Sequence, residues 1–423
     1  MTAPVLDAQH PESDADQESG SVGAAVRDYV ARVRGGDVGS LPAVLGLLVL
    51  VLVFSVLRPS TFTNAFNFSN LLHQSAAVIV IAMGLVFVLL LGEIDLSAGY
   101  TAGTAAAVMG IFATQRGWPW WVAILGCLAT GAVIGLFIGL LVARLGIPSF
   151  VVTLAAFLGL QGVLLKLIGE GGTISILNSE QLIAINNDDL PVVLGWVVAL
   201  GTLAIYAYVT LRRAALRRAG GLQTQSRTVL IGKIILVAIP VIAATAYLSI
   251  ERSPNPDRVS IKGVPLVVLV MLVLLVVLTF VLTRTAFGSH VYAVGGNAEA
   301  ARRAGINVPR LKLACFIIGS TLAAVGGIML ASRNNSISPS TGGADTLLYA
   351  VGAAVIGGTS LFGGKGRVID AVMGGLVIAV IINGMGLLNQ PSSVVYMVTG
   401  AVLLVAASVD AISRRRAAST GRL

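Results

Sequence analysis

Long apolar runs alternate with short polar ones along this chain, and the runs recur at close to membrane length. Segments over 41–57, 71–91, 100–114, 122–142, 148–168, 192–211, 229–250, 264–282 and 313–331 carry few or no charges. A helix needs about 20 such residues to cross a bilayer. The run 347–356 is too short to cross alone and leads into GGTSLFGGKG, which reads as a broken or half-length helix. Two further segments, 368–388 and 394–412, follow. The pattern predicts an all-α polytopic membrane protein of about twelve transmembrane segments, including broken or half-length helices.

Composition agrees. Hydrophobic residues make up 56% of the chain and charged ones only 11%, against about 25% charged in soluble domains. The net charge of +9 would suggest nucleic acid if it formed a soluble patch. Here the Lys and Arg gather in short loops between apolar runs, so the charge is read as a topology signal and no nucleic-acid partner is expected. Arg27, Arg32 and Arg34, Arg144, the run RRAALRR (212–218), the stretch 284–312 and Arg414 to Arg416 fall on one side. The loop 169–191 contains no Lys or Arg and falls on the other, with the polar loop 333–345. By this rule both termini are cytoplasmic, in an inner or plasma membrane. Trp118, Trp120 and Trp121 mark a water interface. The organisation expected is a cytoplasmic tail over 1–40, a transmembrane domain over 41–412 and a basic cytoplasmic tail over 413–423. Within the first tail, Val22, Val26, Tyr29, Val30 and Val33 have the spacing of an interfacial helix. No cleaved signal peptide is expected.

The stretch 284–312, RTAFGSHVYAVGGNAEAARRAGINVPRLK, is far richer in charge than its surroundings. Gly295-Gly296 offers a turn and Asn297 a helix N-cap. Ala298 to Ala304 are strong helix formers, with Glu299 in the first turn where the helix dipole favours it. Gly305 is placed to end the helix, and Pro309 to prevent its resumption. The prediction is one short capped helix between two spans, suited to docking a cytoplasmic partner.

No catalytic or metal centre is expected. His10, His73 and His290 are scattered, Cys127 and Cys315 lie inside apolar runs, and no Walker-type phosphate loop is present, so no cofactor is assigned. Intramembrane ionisable groups are functional candidates: Glu93 and Asp95 at the end of the second span, and Asp370 near the start of the eleventh. Gln74, Gln161, Asn383 and Asn389 offer amides that both donate and accept, which suits a hydroxyl-rich cargo. With Glu93 and Asp95 they form the candidate pathway set; interhelical hydrogen bonding is the alternative for each. An internal echo links Gly92-x-x-x-Leu96-x-x-Gly99 to Gly357-x-x-x-Leu361-x-x-Gly364, with AVMG after both. Gly92, Gly99, Gly357, Gly358, Gly363 and Gly364 are the candidate broken-helix glycines.

GEIDLSAG, VYAVGGNAEAARRAGINV and AVIGGTSLFGGKGRVIDAVMGG, in this order, resemble the permease subunits of carbohydrate-importing ABC transporters, with the ribose and xylose type most similar. The resemblance covers most of 41–412. It implies a subunit without its own ATP site, paired with a second permease copy in the lipid bilayer, two cytoplasmic ATPase subunits and an extracytoplasmic sugar-binding protein. It also implies that Gly295, Gly296, Asn297, Glu299, Ala300, Ala301, Arg302, Gly305 and Ile306 form the coupling element. Glu93 departs from the general pattern, which has Gly there. The two spans between 192 and 250 are similar to the xylose branch, so xylose or a related pentose is the expected cargo. A branched-chain amino acid permease, an ion-coupled secondary transporter and a membrane scaffold are the alternatives.

Overall fold

A computed structural model describes residues 39–221 and 226–419; the expected interfacial helix near the N-terminus lies outside these residues. In chain order the helices are α1 (Leu41–Leu57), α2 (Pro59–Phe62), α3 (Ala65–Leu90), α4 (Ala98–Gly110, continued by a π-helical turn, Ile111–Gln115), α5 (Trp120–Ala143) and α6 (Ser149–Ile168). Strand β1 (Ile174–Ser175) and helix α7 (Glu180–Asn187) precede α8 (Val192–Ala219), α9 (Arg227–Leu248) and α10 (Leu266–Arg284). Then come α11 (Ala286–Gly296), α12 (Ala298–Arg303), α13 (Val308–Asn334), β2 (Ser336–Ile337), α14 (Ala344–Gly357), α15 (Val368–Leu387) and α16 (Ser392–Ser419).

Nine helices among the described residues are long and apolar enough to cross a membrane, and α1 and α14 are shorter apolar helices. With α4 they make twelve apolar segments, matching the expected all-α polytopic architecture. The described residues divide into two units. Helices α8 and α9, with residues 413–419, belong to one; α8 carries Arg217 and Arg218 in its last turn, and α9 contains Pro240. The basic run 212–218, read above as a loop, is helical as the end of α8.

The larger unit, 39–191 with 248–412, is built around α3, which is buried along most of its length. Asn64 caps α3 through a 2.9 Å hydrogen bond from the Phe66 amide, so the helix starts six residues before the apolar run expected at 71. Helix α13 packs beside it, where a Cβ on Gly84 would come within 2.9 Å of the Gly319 carbonyl, and packs on its other side against α5. Cβ atoms at Gly131 and Gly135 of α5 would come within 2.7 and 2.5 Å of the Ser320 and Phe316 carbonyls of α13, the close backbone approach that small residues permit in membrane helix pairs. Cys127 and Cys315 are free, buried thiols in these helices.

Three local expectations are corrected. The stretch 284–312 holds two helices: Gly295 and Gly296 end α11 and do not form a turn between a span and one helix. Pro309 opens α13 as one of its first residues, where its missing N–H costs no helical hydrogen bond. The third segment is a 13-residue helix from Ala98 with a π turn after it, and the irregular stretch 91–97 precedes it.

Candidate functional site: a glycine-lined junction under two short helices

Three sequence motifs far apart in the chain meet at one end of the larger unit. The Gly364 amide donates to the Leu90 carbonyl at the end of α3, 2.9 Å away. Gly295, in the last turn of α11, lies against the same carbonyl: a Cβ there would stand 1.8 Å from Leu90 O and 2.6 Å from Gly364 N. A Cβ on Gly363 would come within 2.9 Å of both Gly92 N and Gly295 O. Tyr292 donates its hydroxyl to the Gly366 carbonyl at 2.8 Å, and Lys312 in the first turns of α13 forms an ion pair with Glu93. The two echoed motifs, GEIDLSAG and GGTSLFGGKG, therefore touch each other and both touch the α11–α13 stretch. They are not followed by equivalent helices, since α4 has 13 residues and α15 has 20.

Helix α12 projects from this junction. Asn297 accepts from the Ala300 amide at 2.9 Å, as a capping residue does. Glu299 in its first turn pairs with Arg302 and, at 3.2 Å, with Arg303. Ala301 faces inward and is buried, Ile306 is half-buried, and Ala300, Arg302 and Arg303 are exposed. Gly305 ends the helix with φ +86°, a left-handed conformation that glycine adopts at low cost. Burial raises the Tyr292 hydroxyl above its ordinary pKa, with the Asp370 charge adding to the effect, so the phenol stays protonated and able to donate.

The remaining candidate glycines are packing points. A Cβ on Gly357 would lie 1.8 Å from the Asp370 carbonyl, and one on Gly99 2.4 Å from the Gly342 carbonyl. Gly358 follows α14 as its C-cap, with φ +116°.

The opposite end of the larger unit joins the two loops expected to share a face. Strands β1 and β2 pair antiparallel, Ile174 with Ile337 and Ser175 with Ser336. Asn186 donates to the Met329 carbonyl at 3.0 Å, and its own amide donates to Ser332 at 2.8 Å. Asp189 and Arg252 form a 2.6 Å ion pair. A cleft of about 330 Å³ opens beside them, lined by Asn70, His73, Asn187, Arg333 and Asn334.

The candidate pathway residues do not form one group. Gln74 is half-buried on α3 beside His73, and Gln161 is half-buried on α6. Asn383 and Asn67 exchange two 2.9 Å hydrogen bonds between α15 and α3. Asn389 is exposed just beyond α15, with φ +54°. Glu93 is engaged by Lys312 at the junction. Asp95 is buried and accepts from the Ser97 amide and hydroxyl at 2.8 and 2.6 Å. Among the described residues no group of three or more metal-ligating side chains comes together. The links from Tyr292 to Gly366 and from Lys312 to Glu93 were not anticipated: pairs 74 and 219 residues apart leave no local sequence signal.

A family profile described as "Branched-chain amino acid transport system / permease component" matches residues 67–407. The chain belongs to this permease family. Among its relatives the permease is 39% identical to the xylose transport system permease protein XylH of Escherichia coli K12, over 88% of this chain and 92% of that one. It is 30% identical to the ribose import permease protein RbsC of the same strain, over 87% and 92%. It is 29% identical to the fructose import permease protein FrcC of Rhizobium meliloti, over 90% and 88%. No solved structure matches the permease. It is a multi-pass membrane protein and a transport subunit.

Proposed function

We propose that this permease is the membrane subunit of a binding-protein-dependent sugar importer of the ABC type, with xylose or a related pentose as cargo. The observation that carries the reading is the junction. A basic, capped, exposed helix, α12, is mounted on a backbone contact between two irregular stretches of the membrane domain. Irregular backbone at membrane depth belongs where it lines a cavity, so a push on α12 reaches the passage directly. The relatives' names, xylose, ribose and fructose permeases, support the sugar class.

In this reading the junction faces the cytoplasm, and both termini lie on that side. ATP binding closes a separate pair of ATPase subunits around α12 of two permease copies. The movement passes through Gly295 and Gly296 to Leu90 and the 363–366 turn, while Tyr292 and Lys312 hold α11 and α13 to the same turns. The passage then opens away from the cytoplasm, toward a loaded sugar-binding protein docked on loops 169–191 and 333–345. Gln74, Gln161, Asn383 and Asn389 would offer polar contacts along the route. Glu93 and Asp95 would stand at its cytoplasmic end.

The test is co-expression with the ATPase and binding proteins, purification in mild detergent and reconstitution. Wild-type complex should take up D-xylose with ATP hydrolysis stimulated by the loaded binding protein. Glu299→Ala and Gly305→Val should remain in the membrane and lose ATP-driven uptake; intact uptake in both would refute α12 as the coupling helix. The family description favours one other reading, a branched-chain amino acid cargo. Leucine uptake, or competition by leucine against D-xylose, would establish it.

A further inference from the structure

Arg333, in the last turn of α13, stands half-buried in the cleft of about 330 Å³ between α3, α7 and α13. Its Nη2 donates to Asn70 Oδ1 on α3 at 3.2 Å, a neutral acceptor. Among the described residues no Asp or Glu forms an ion pair with Arg333. Asp189, close by in sequence to the lining Asn187, is taken by Arg252 at 2.6 Å. The other lining residues are Asn70, His73, Asn187 and Asn334, so the lining carries a positive charge and no negative one. The walls are fixed in place. Asn187 donates from its side-chain amide to the Ser332 carbonyl at 2.7 Å and to Asn335 Oδ1 at 3.1 Å. Asn186 is buried and donates to the His73 and Met329 carbonyls at 3.3 and 3.0 Å.

A guanidinium partly withdrawn from water and bonded at one nitrogen to an amide keeps donors for a carboxylate, which a planar fork meets in bidentate geometry. The surroundings favour one kind of carboxylate. Asp188, next to Asn187, and Glu180, at the start of α7, are exposed. Like charges beside the cleft lower the local concentration of a small free anion. A carboxylate carried on a protein surface, with Lys or Arg around it to meet those two acids, is drawn in by the same charges. Lipid phosphate is disfavoured by position, because α3 is buried along most of its length and the cleft is walled by three elements of the core.

We propose that this cleft receives an aspartate or glutamate side chain of the loaded sugar-binding protein, with Arg333 as the anchoring cation. The site rests on the sugar-importer reading, and its test separates the two. Permease with its ATPase, in lipid nanodiscs, is titrated with purified binding protein carrying D-xylose, and the association and dissociation rates are recorded. Arg333→Met, in complexes that still co-purify with the ATPase, should weaken binding roughly thirtyfold, mostly through faster dissociation. Asn70→Asp keeps the arginine but gives it an internal carboxylate, and should weaken binding roughly tenfold. Each exposed Asp and Glu of the binding protein is then changed to Ala in turn. One of these changes should cost roughly thirtyfold against the wild-type permease and less than about threefold against Arg333→Met. Binding within about twofold of wild type in both permease variants would overturn the site, as would the absence of any coupled carboxylate. An anionic lipid that co-purifies with wild type and is lost from Arg333→Met, with affinity for the binding protein unchanged, would give the cleft to lipid phosphate and also overturn it. In those cases a wild-type complex whose ATP hydrolysis is stimulated by the loaded binding protein leaves the importer reading standing. A wild-type complex that recruits no sugar-binding protein would overturn both.

Discussion

Gly295 is the residue on which the junction closes. Its Cα lies against the Leu90 carbonyl, so even one methyl group must displace either α11 or the end of α3. Overpacking of this kind costs about 1–3 kcal/mol. Gly295→Ala is expected to lower the thermal stability of the detergent-solubilised protein by that order and to impair assembly with the ATPase. Gly296→Ala is the control, since no atom stands within 4 Å of a Cβ there. A second residue-scale expectation concerns acid. Glu251 accepts from the amides of Ser253 and Ile261, at 3.0 and 2.8 Å, and from the Ser260 hydroxyl. These bonds, led by the Ser260 hydroxyl, hold its pKa down to about 2 from an ordinary 4.5. The sign follows from linkage: a depressed carboxylate gives a stabilisation that is complete above its unfolded pKa and is lost as pH falls toward the folded one. The loop 251–263 should therefore exchange its Ser253 and Ile261 amide hydrogens faster, relative to intrinsic rates, as pH drops from about 5 to 2. Glu251→Gln should show no such pH dependence.

Among the elements, the link between the 91–97 stretch and α13 is the most open to dissection. Glu93 and Lys312 are mostly covered, with side chains 14% and 25% exposed. Removing one partner leaves the other charge without compensation. Glu93→Gln and Lys312→Met should each destabilise, and the double variant should lose less than their sum, with a coupling of about 1 kcal/mol in a double-mutant thermal-unfolding cycle. Elements of this size were unevenly legible in the sequence. The long spans were readable because about 20 apolar residues in a row have few other stable arrangements. The cap at Asn297 was readable because its chemistry is local. The division of 284–312 into two helices was not, because a glycine pair signals either a break or a close approach, and only the Leu90 carbonyl decides for the latter. The half-length of α4 was hidden for a related reason: Ile111 to Gln115 continue the apolar run while the backbone changes to a π turn. Asn70 and Arg333, 263 residues apart, became a pair only once α3 and α13 were in place.

At the scale of the molecule, the larger unit holds the two ends of the α8–α9 excursion by itself. Leu190 donates to the Val264 carbonyl at 2.8 Å, and Gly263 donates to the Leu248 carbonyl at 2.8 Å. Arg252 adds its ion pair to Asp189 and a 3.1 Å hydrogen bond to the Gly263 carbonyl. The chain thus leaves and re-enters the larger unit at adjacent residues of one short segment. Replacing 192–247 by a short Gly/Ser bridge is expected to leave a protein that inserts, assembles with the ATPase and keeps at least half the wild-type stimulated ATP hydrolysis, roughly. Failure to insert would show that α8 and α9 are needed for the larger unit to form. The seam at 263–264 works like a clasp on a loop of cord. Material can be threaded in or drawn out beyond it while both ends stay fastened, so a change of length between residues 191 and 248 need not disturb the packing inside the seam.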